Sequence, residues 1–210
     1  MMGYLYPEVE ISTKRQDRTV RGVSVVRKLK ALDGVWVKRI RAPGQQEKHN
    51  DGFTIHQVVF ARSLRPLLDM PVIAHVKPVQ IALLLNAYWE GIAKVLPEPF
   101  DSASNPQDYM IQKDQGAVVL HSVLPYVIEV IPSLGKSLTD PIAYADVMHD
   151  LPMLSGEIVT DNGVELVSDA SFWLSGPAGV ASRFSGDAGC ECLSSDVRAL
   201  IPRPAEGLEI

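Results

Sequence analysis

From Thr54 onward the apolar positions recur at intervals of three and four residues, the spacing that lines one face of an α-helix. Ile55, Val58, Val59, Arg62 and Leu64 open a stripe that runs to Leu68, with Thr54 placed to cap it and Pro71 beyond its end. Ile81, Leu84, Leu85, Tyr88, Ile92 and Val95 line a second helix, entered through Pro78 in its first turn and stopped near Pro97. Residues 117–131 are apolar nearly all round, which predicts a helix packed on several sides and bent by Pro125. Thr139-Asp140-Pro141 starts a helix over 142–151, and Leu193, Val197, Leu200 and Ile201 mark a last helix closed by Pro202.

Strand patterns are shorter. Glu8 to Ser12 alternates with period two, and Val35 to Ile40 is rich in β-formers after the turn signal Asp33-Gly34. Between them Val23, Val26 and Leu29 fit a helix while Val23 and Val25 fit a strand, so both readings stay open there. Asn162-Gly163 lies between two β-rich runs and predicts a small hairpin through a type I′ turn. The polar, turn-rich stretch 41–52 divides the chain into a basic β-containing segment, 1–50, and a helical region, 51–210. The expected fold is α+β and mainly helical: a helical core, a basic N-terminal β-containing segment and the hairpin near Asn162.

Composition leaves this picture intact. With 210 residues, 46% hydrophobic and 21% charged, the chain is of ordinary globular make-up and long enough to bury a sizeable core. Met1 to Tyr6 has no secretory pattern, and the most apolar run, 116–135, is interrupted by His121, Pro125, Glu129 and Pro132. A cytoplasmic protein without a membrane span is therefore expected. Cys190 and Cys192, two positions apart on a predicted helix, point about 200° away from each other, so reduced thiols are expected rather than a disulfide.

Charge changes the picture more. Residues 1–50 hold eleven bases against five acids, a net +6, while the remaining residues carry −11 of the overall −5. Lys14, Arg15, Arg18, Arg21, Arg27, Lys28, Arg39 and Arg41 are the candidate DNA-binding residues, because phosphate neutralisation needs clustered cations. Nothing in the sequence identifies a base-reading helix, so a basic face that is solvated, or docks on a protein partner or a second copy, stands beside the DNA reading.

Several strings in order carry a family resemblance. Asn86-Ala87-Tyr88-Trp89, Val95 to Phe100, Tyr109 to Lys113 with Gln112, then Gly116 and Val118 to His121, followed by Phe172-Trp173 and Arg183 to Gly189, resemble the helical half of the DGQHR-domain family. The Asp-Gly-Gln-His-Arg signature itself is absent, the nearest string being Asn50-Asp51-Gly52-Phe53. The resemblance implies a bacterial or phage protein linked to DNA modification or phage defence, similar to DndB-like regulators and ParB-like proteins, which are implied to bind DNA or a nucleotide mostly through the signature half. With the signature missing, the implied role is regulatory rather than catalytic; the alternative is an interaction module that docks on a partner bearing the signature.

Individual sites add little chemistry. Gln112-Lys113 and Gly116 precede a predicted helix start, where an anion or merely a tight turn would fit. Gly135-Lys136-Ser137 lacks the glycine a phosphate-binding loop needs five positions earlier, where Val130 stands. Asp146, His149 and Asp150 share a helix face without a second ligand cluster to complete a metal site. His121, among valines and leucines, reads as a core histidine, and Tyr88 and Trp89 as packing residues about 100° apart, one in the core and the other at a boundary. No catalytic residue, cofactor or metal is expected.

Overall fold

The computed structural model describes residues 7–45 and 52–203, with side chains in the first helix described from Asp17 onward. Among these residues eight α-helices alternate with short 3-10 turns and two small two-stranded sheets, so the fold is α+β and mainly helical.

The first helix, α1 (Pro7–Leu29), overturns the strand expected at 8–12. Five alternating residues are compatible with either period. Once propagation through 23 residues is possible, with a proline tolerated in the first turn and Arg27 and Lys28 favourable in the last, the helix wins. Val25, Val26 and Leu29 are its buried contribution. The strand expected over 35–40 is also cut short, to β1 (Ile40–Arg41), which pairs in parallel with β2 (Ile55–His56). Lys38 takes a φ of 59°, a left-handed conformation that breaks an extended run. Turn bonds from Val37 N–H to Gly34 O and from Arg39 N–H to Trp36 O fold the segment so that Trp36 is buried completely.

The stripe expected as one helix over 55–68 is broken. It becomes β2, α2 (Gln57–Ser63) and α3 (Arg65–Leu68), with Pro66 in the first turn of α3. A proline there has no N–H to offer the carbonyl four residues earlier, and the chain restarts one residue later. The cap position of α2 is His56 rather than Thr54. The next two helices, α4 (Pro78–Val95) and α5 (Asp114–Ser133), lie where the apolar spacing places them. Asp140 accepts from the Ile142 N–H at 2.9 Å to start α6 (Pro141–Val147), which stops earlier than expected.

The hairpin joins β3 (Ser155–Thr160) to β4 (Gly163–Ser168), with Thr160 opposite Gly163. Its two-residue turn is Asp161-Asn162, one position before the expected pair, and Gly163 follows at a φ of 120°. A short α7 (Asp169–Phe172) and then α8 (Gly186–Ala199) complete the chain.

One core serves all of it: Val25, Trp36 and Ile40 pack in the same apolar cluster as Phe60, Leu85, Leu124 and Val197. Residues on either side of the expected boundary thus share that core; 46–51, within that boundary loop, lie outside the described residues. Helix α5 is long and apolar enough to cross a membrane, and in the fold it is covered by α2, α3, α6 and α8.

Three crossings depend on glycine. A Cβ on Gly22 would come within 2.7 Å of the Ala61 carbonyl oxygen, and one on Gly91 within 2.5 Å of the Tyr144 Cβ. At Gly116 it would lie 2.4 Å from the Ile111 carbonyl oxygen and 2.5 Å from that of Met110. All three are backbone or near-backbone atoms that cannot swing aside. Gly116→Val is therefore expected to destabilise the protein by about 3 kcal/mol, read as a lower urea midpoint. Gly34→Ala, which meets only the Asn86 side-chain amide, should cost less than half as much; equal shifts would refute the close-approach account.

Candidate functional site: a basic notch beside a closed aromatic core

Of the residues that carry the family resemblance, Tyr88, Trp89 and His121 lie at the centre of the molecule, whereas Arg183 to Gly189 lie mostly at its surface. Tyr88, Trp89 and His121 are all fully buried, so the expectation that one of the two aromatics sits at a boundary does not hold. Helix α4 is covered on two sides: Tyr88 meets Tyr144 of α6 at 5.5 Å between ring centroids, and Trp89 meets Trp36 at 4.8 Å. Phe60 stands edge-on to Trp36 and to His121, at 4.7 and 4.8 Å, the geometry aromatic quadrupoles favour.

His121 is held on both ring nitrogens. The Trp89 indole N–H, which can only donate, reaches Nε2 at 3.0 Å, so the ring proton of the neutral imidazole is on Nδ1. Nδ1 lies 2.7 Å from the Ser63 hydroxyl, which donates in turn to the Phe60 carbonyl at 2.8 Å. Every donor in this relay has one acceptor. Burial pushes the imidazole pKa down to about 3, because a charged ring would lose its hydration and also the acceptor that Trp89 uses.

The neighbouring motif residues also tie segments together. Gln112 donates to the Pro99 carbonyl, and Lys113 to the Ser175 hydroxyl at 2.8 Å, fastening the 97–112 loop and the 172–175 segment at the start of α5. Burial lowers the Lys113 pKa, opposed by the nearby Asp108 charge. At Gly116 the absent side chain makes room for the backbone of 110–111 rather than for an anion. Gly135 ends α5 at a φ of 69°, and Lys136 pairs with Asp146. His149 lies 3.2 Å from Asp150; among the described residues no group of three His, Cys, Asp or Glu is placed to hold a metal.

The basic residues divide into those consumed by the fold and those presented outward. Arg21 donates to the carbonyls of Ile73 and Val76, the latter at 2.9 Å, and so anchors the segment before α4. Arg39 is half-buried, with its pKa lowered by that burial, and Arg41 stacks over the Phe53 ring at 5.8 Å. Arg27 and Lys28 are exposed at the end of α1. The side chains of Lys14 and Arg15 lie outside the described residues.

Arg18 is the one that finds company. It pairs with Asp69 at 2.9 Å, and with Thr19 it lines a shallow notch whose other walls are Ala61, Arg62, Arg65 and Leu68. Arg62 and Arg65 are exposed, and neither makes a side-chain hydrogen bond or ion pair among the described residues. On sequence grounds Arg62 belongs to the helical stripe, and neither is among the DNA-binding candidates. Their spacing of three was visible, but only the α1–α2–α3 junction sets them beside Arg18, across the Gly22–Ala61 contact. A guanidinium cluster of this kind can hold phosphate oxygens through paired N–H donors.

A second concavity lies between α5 and α8, about 800 Å3 in volume, with Ser122, Tyr126, Glu191 and Arg198 among its walls. No family model, no curated protein and no solved structure matches the chain.

The neutral His121 has a consequence for acid stability. The unfolded imidazole takes a proton below its ordinary 6.5, while the folded one refuses it until about 3. Between those values the unfolded state binds more protons, so stability is complete above pH 6.5 and is lost as pH falls, by up to about 1.4 kcal/mol per unit. Comparing urea midpoints of the wild type and His121→Gln across this range should show a steeper decline for the wild type. Parallel curves would mean that His121 is not held neutral by its surroundings.

Proposed function

We propose that the chain is a non-catalytic DNA-binding protein that grips the phosphate backbone through the arginines at the α1–α2–α3 junction. The observation that carries this reading is the notch itself: Arg18, Arg62 and Arg65 come from three helices to one place, and two of them have no partner among the described residues. Arg27 and Lys28, exposed further along α1, extend the same charge. The resemblance to the helical half of the DGQHR family supports a setting in DNA modification or phage defence, with a regulatory role.

Phosphate contacts position a protein on a duplex without reading its sequence, so the reading is of backbone binding and not of base recognition. The −11 charge of residues 51–210 repels a polyanion, which favours engagement through this one face and a strong dependence on salt. Arg18 would exchange Asp69 for phosphate on binding, at modest cost because exposed ion pairs contribute little.

The test is a gel-shift titration of duplex DNA over a range of salt. Wild-type affinity should fall steeply as salt rises, Arg62→Ala should reduce the slope of log affinity against log salt by about one, and Arg62→Glu/Arg65→Glu should weaken binding at least about tenfold. Absence of binding at low ionic strength rejects the proposal and leaves the notch to an acidic protein partner.

A further inference from the structure

We infer that α8 is a self-docking surface: two copies of the chain associate with their α8 helices antiparallel, Glu191 of each meeting Arg198 of the other. This proposal is independent of the basic notch and stands on the charge order along one stripe of the helix.

Leu193 and Val197 bury one side of α8 against α5. At 100° per residue, Asp187, Glu191, Ser194, Ser195 and Arg198 fall within about 100° of each other on another side. All five line the groove between α8 and α5. The groove continues into a second hollow of about 420 Å3 that shares Tyr126, Ser195 and Arg198 and reaches Arg203. Along this stripe the two acids, Asp187 and Glu191, come first and the one base, Arg198, last. Asp196, at about 140° from Glu191 around the axis, is off it.

A stripe that is acidic at its start and basic at its end is complementary to itself when reversed. With a two-fold axis between Ser194 and Ser195, residues equidistant from the axis face each other, which sets Glu191 against Arg198 of the partner subunit twice over. Within one chain the two are seven residues, or about 10 Å, apart along the axis, too far to pair. Consistent with this, Glu191 is exposed and has no partner among the described residues.

Arg198 is prepared for such a contact. Its Nη1 donates to the Tyr126 hydroxyl at 2.7 Å, and its guanidinium carbon stands 4.8 Å from the centre of the Tyr126 ring. The side chain is held in place while its remaining N–H donors have no partner among the described residues, so little further rotamer freedom is lost on pairing. Tyr126 is 42% exposed and supplies apolar surface beside the pair, together with Val118 about two turns earlier on the same face of α5. Ser195, exposed at the centre, lets two helices approach closely, while Ser194 is turned onto α5, where it accepts from the Ser122 hydroxyl at 2.7 Å. Such an interface, modest in area and mixed in character, fits a salt-sensitive dimer of micromolar affinity rather than an obligate one.

Sedimentation equilibrium of the full chain from micromolar to millimolar concentration, at low and high salt, reads the association directly. The wild type should pass from monomer to dimer, less readily as salt rises. Arg198→Glu and Glu191→Arg, each counted twice in a symmetric interface, should each weaken dimerisation at least about tenfold. The double variant Glu191→Arg/Arg198→Glu restores both pairs in reversed sense and should recover dimerisation to within about threefold of the wild type. It does not restore the Arg198–Tyr126 contact, so recovery reports the intermolecular pair and not the fold, which circular dichroism of each variant monitors. A wild type that stays monomeric throughout, single variants that dimerise normally, or a double variant no better than the singles would each overturn the proposal.

Discussion

The neutral imidazole of His121 is the contact on which the interior depends. It sits on α5, takes a proton-sharing bond from Trp89 on α4 and gives one to Ser63 at the end of α2, so three helices meet at one small ring. A polar group in such a place costs free energy unless every bond is made. Here each donor has its acceptor, and the direction of the relay is settled from one end, by an indole that cannot accept. The rings of Phe60 and Trp89 stand edge-on to it, and Trp36 packs against both, so that the imidazole is left no exposed surface at which water could replace those bonds.

Around that centre, the helices approach as closely as their backbones permit. Gly22 at α1–α2, Gly91 at α4–α6 and Gly116 at the start of α5 each stand where any side chain would strike main-chain or Cβ atoms. Close-packed interiors have little slack to absorb such collisions. The same closeness shapes the surface: bringing α1 onto α2 at Gly22 is what sets Arg18 beside Arg62 and Arg65. The basic notch is thus a by-product of packing as much as of composition, and its placement follows from a residue with no charge.

The basic N-terminal segment shows how local pattern and long-range demand diverge. Five alternating residues suggested a strand where α1 runs, since a short window cannot weigh the propagation of a long helix. Arg21 looked like a surface cation and instead bonds the carbonyls of Ile73 and Val76, more than fifty residues away. Trp36 looked like a strand residue and is a buried wedge in a turn, because Lys38 accepts a left-handed conformation that the core contacts of its neighbours make worthwhile. In none of these cases did the sequence lack the residue; it lacked the partner.

By itself the sequence determined the helical class, the courses of α4 and α5, the cap at Asp140, the hairpin around Asn162 and a core histidine at 121. Each of these rests on residues within a turn or two of one another, where spacing and cap chemistry act directly. Only the tertiary structure decided which arginines are spent inside the fold and which are presented, that Tyr88 and Trp89 are both interior, and that Glu191 and Arg198 order one exposed stripe of α8 beside a groove. Those outcomes turn on which helix covers which, and that is set by side-chain volumes and missing side chains at positions far apart in the chain, whose effects no local window contains.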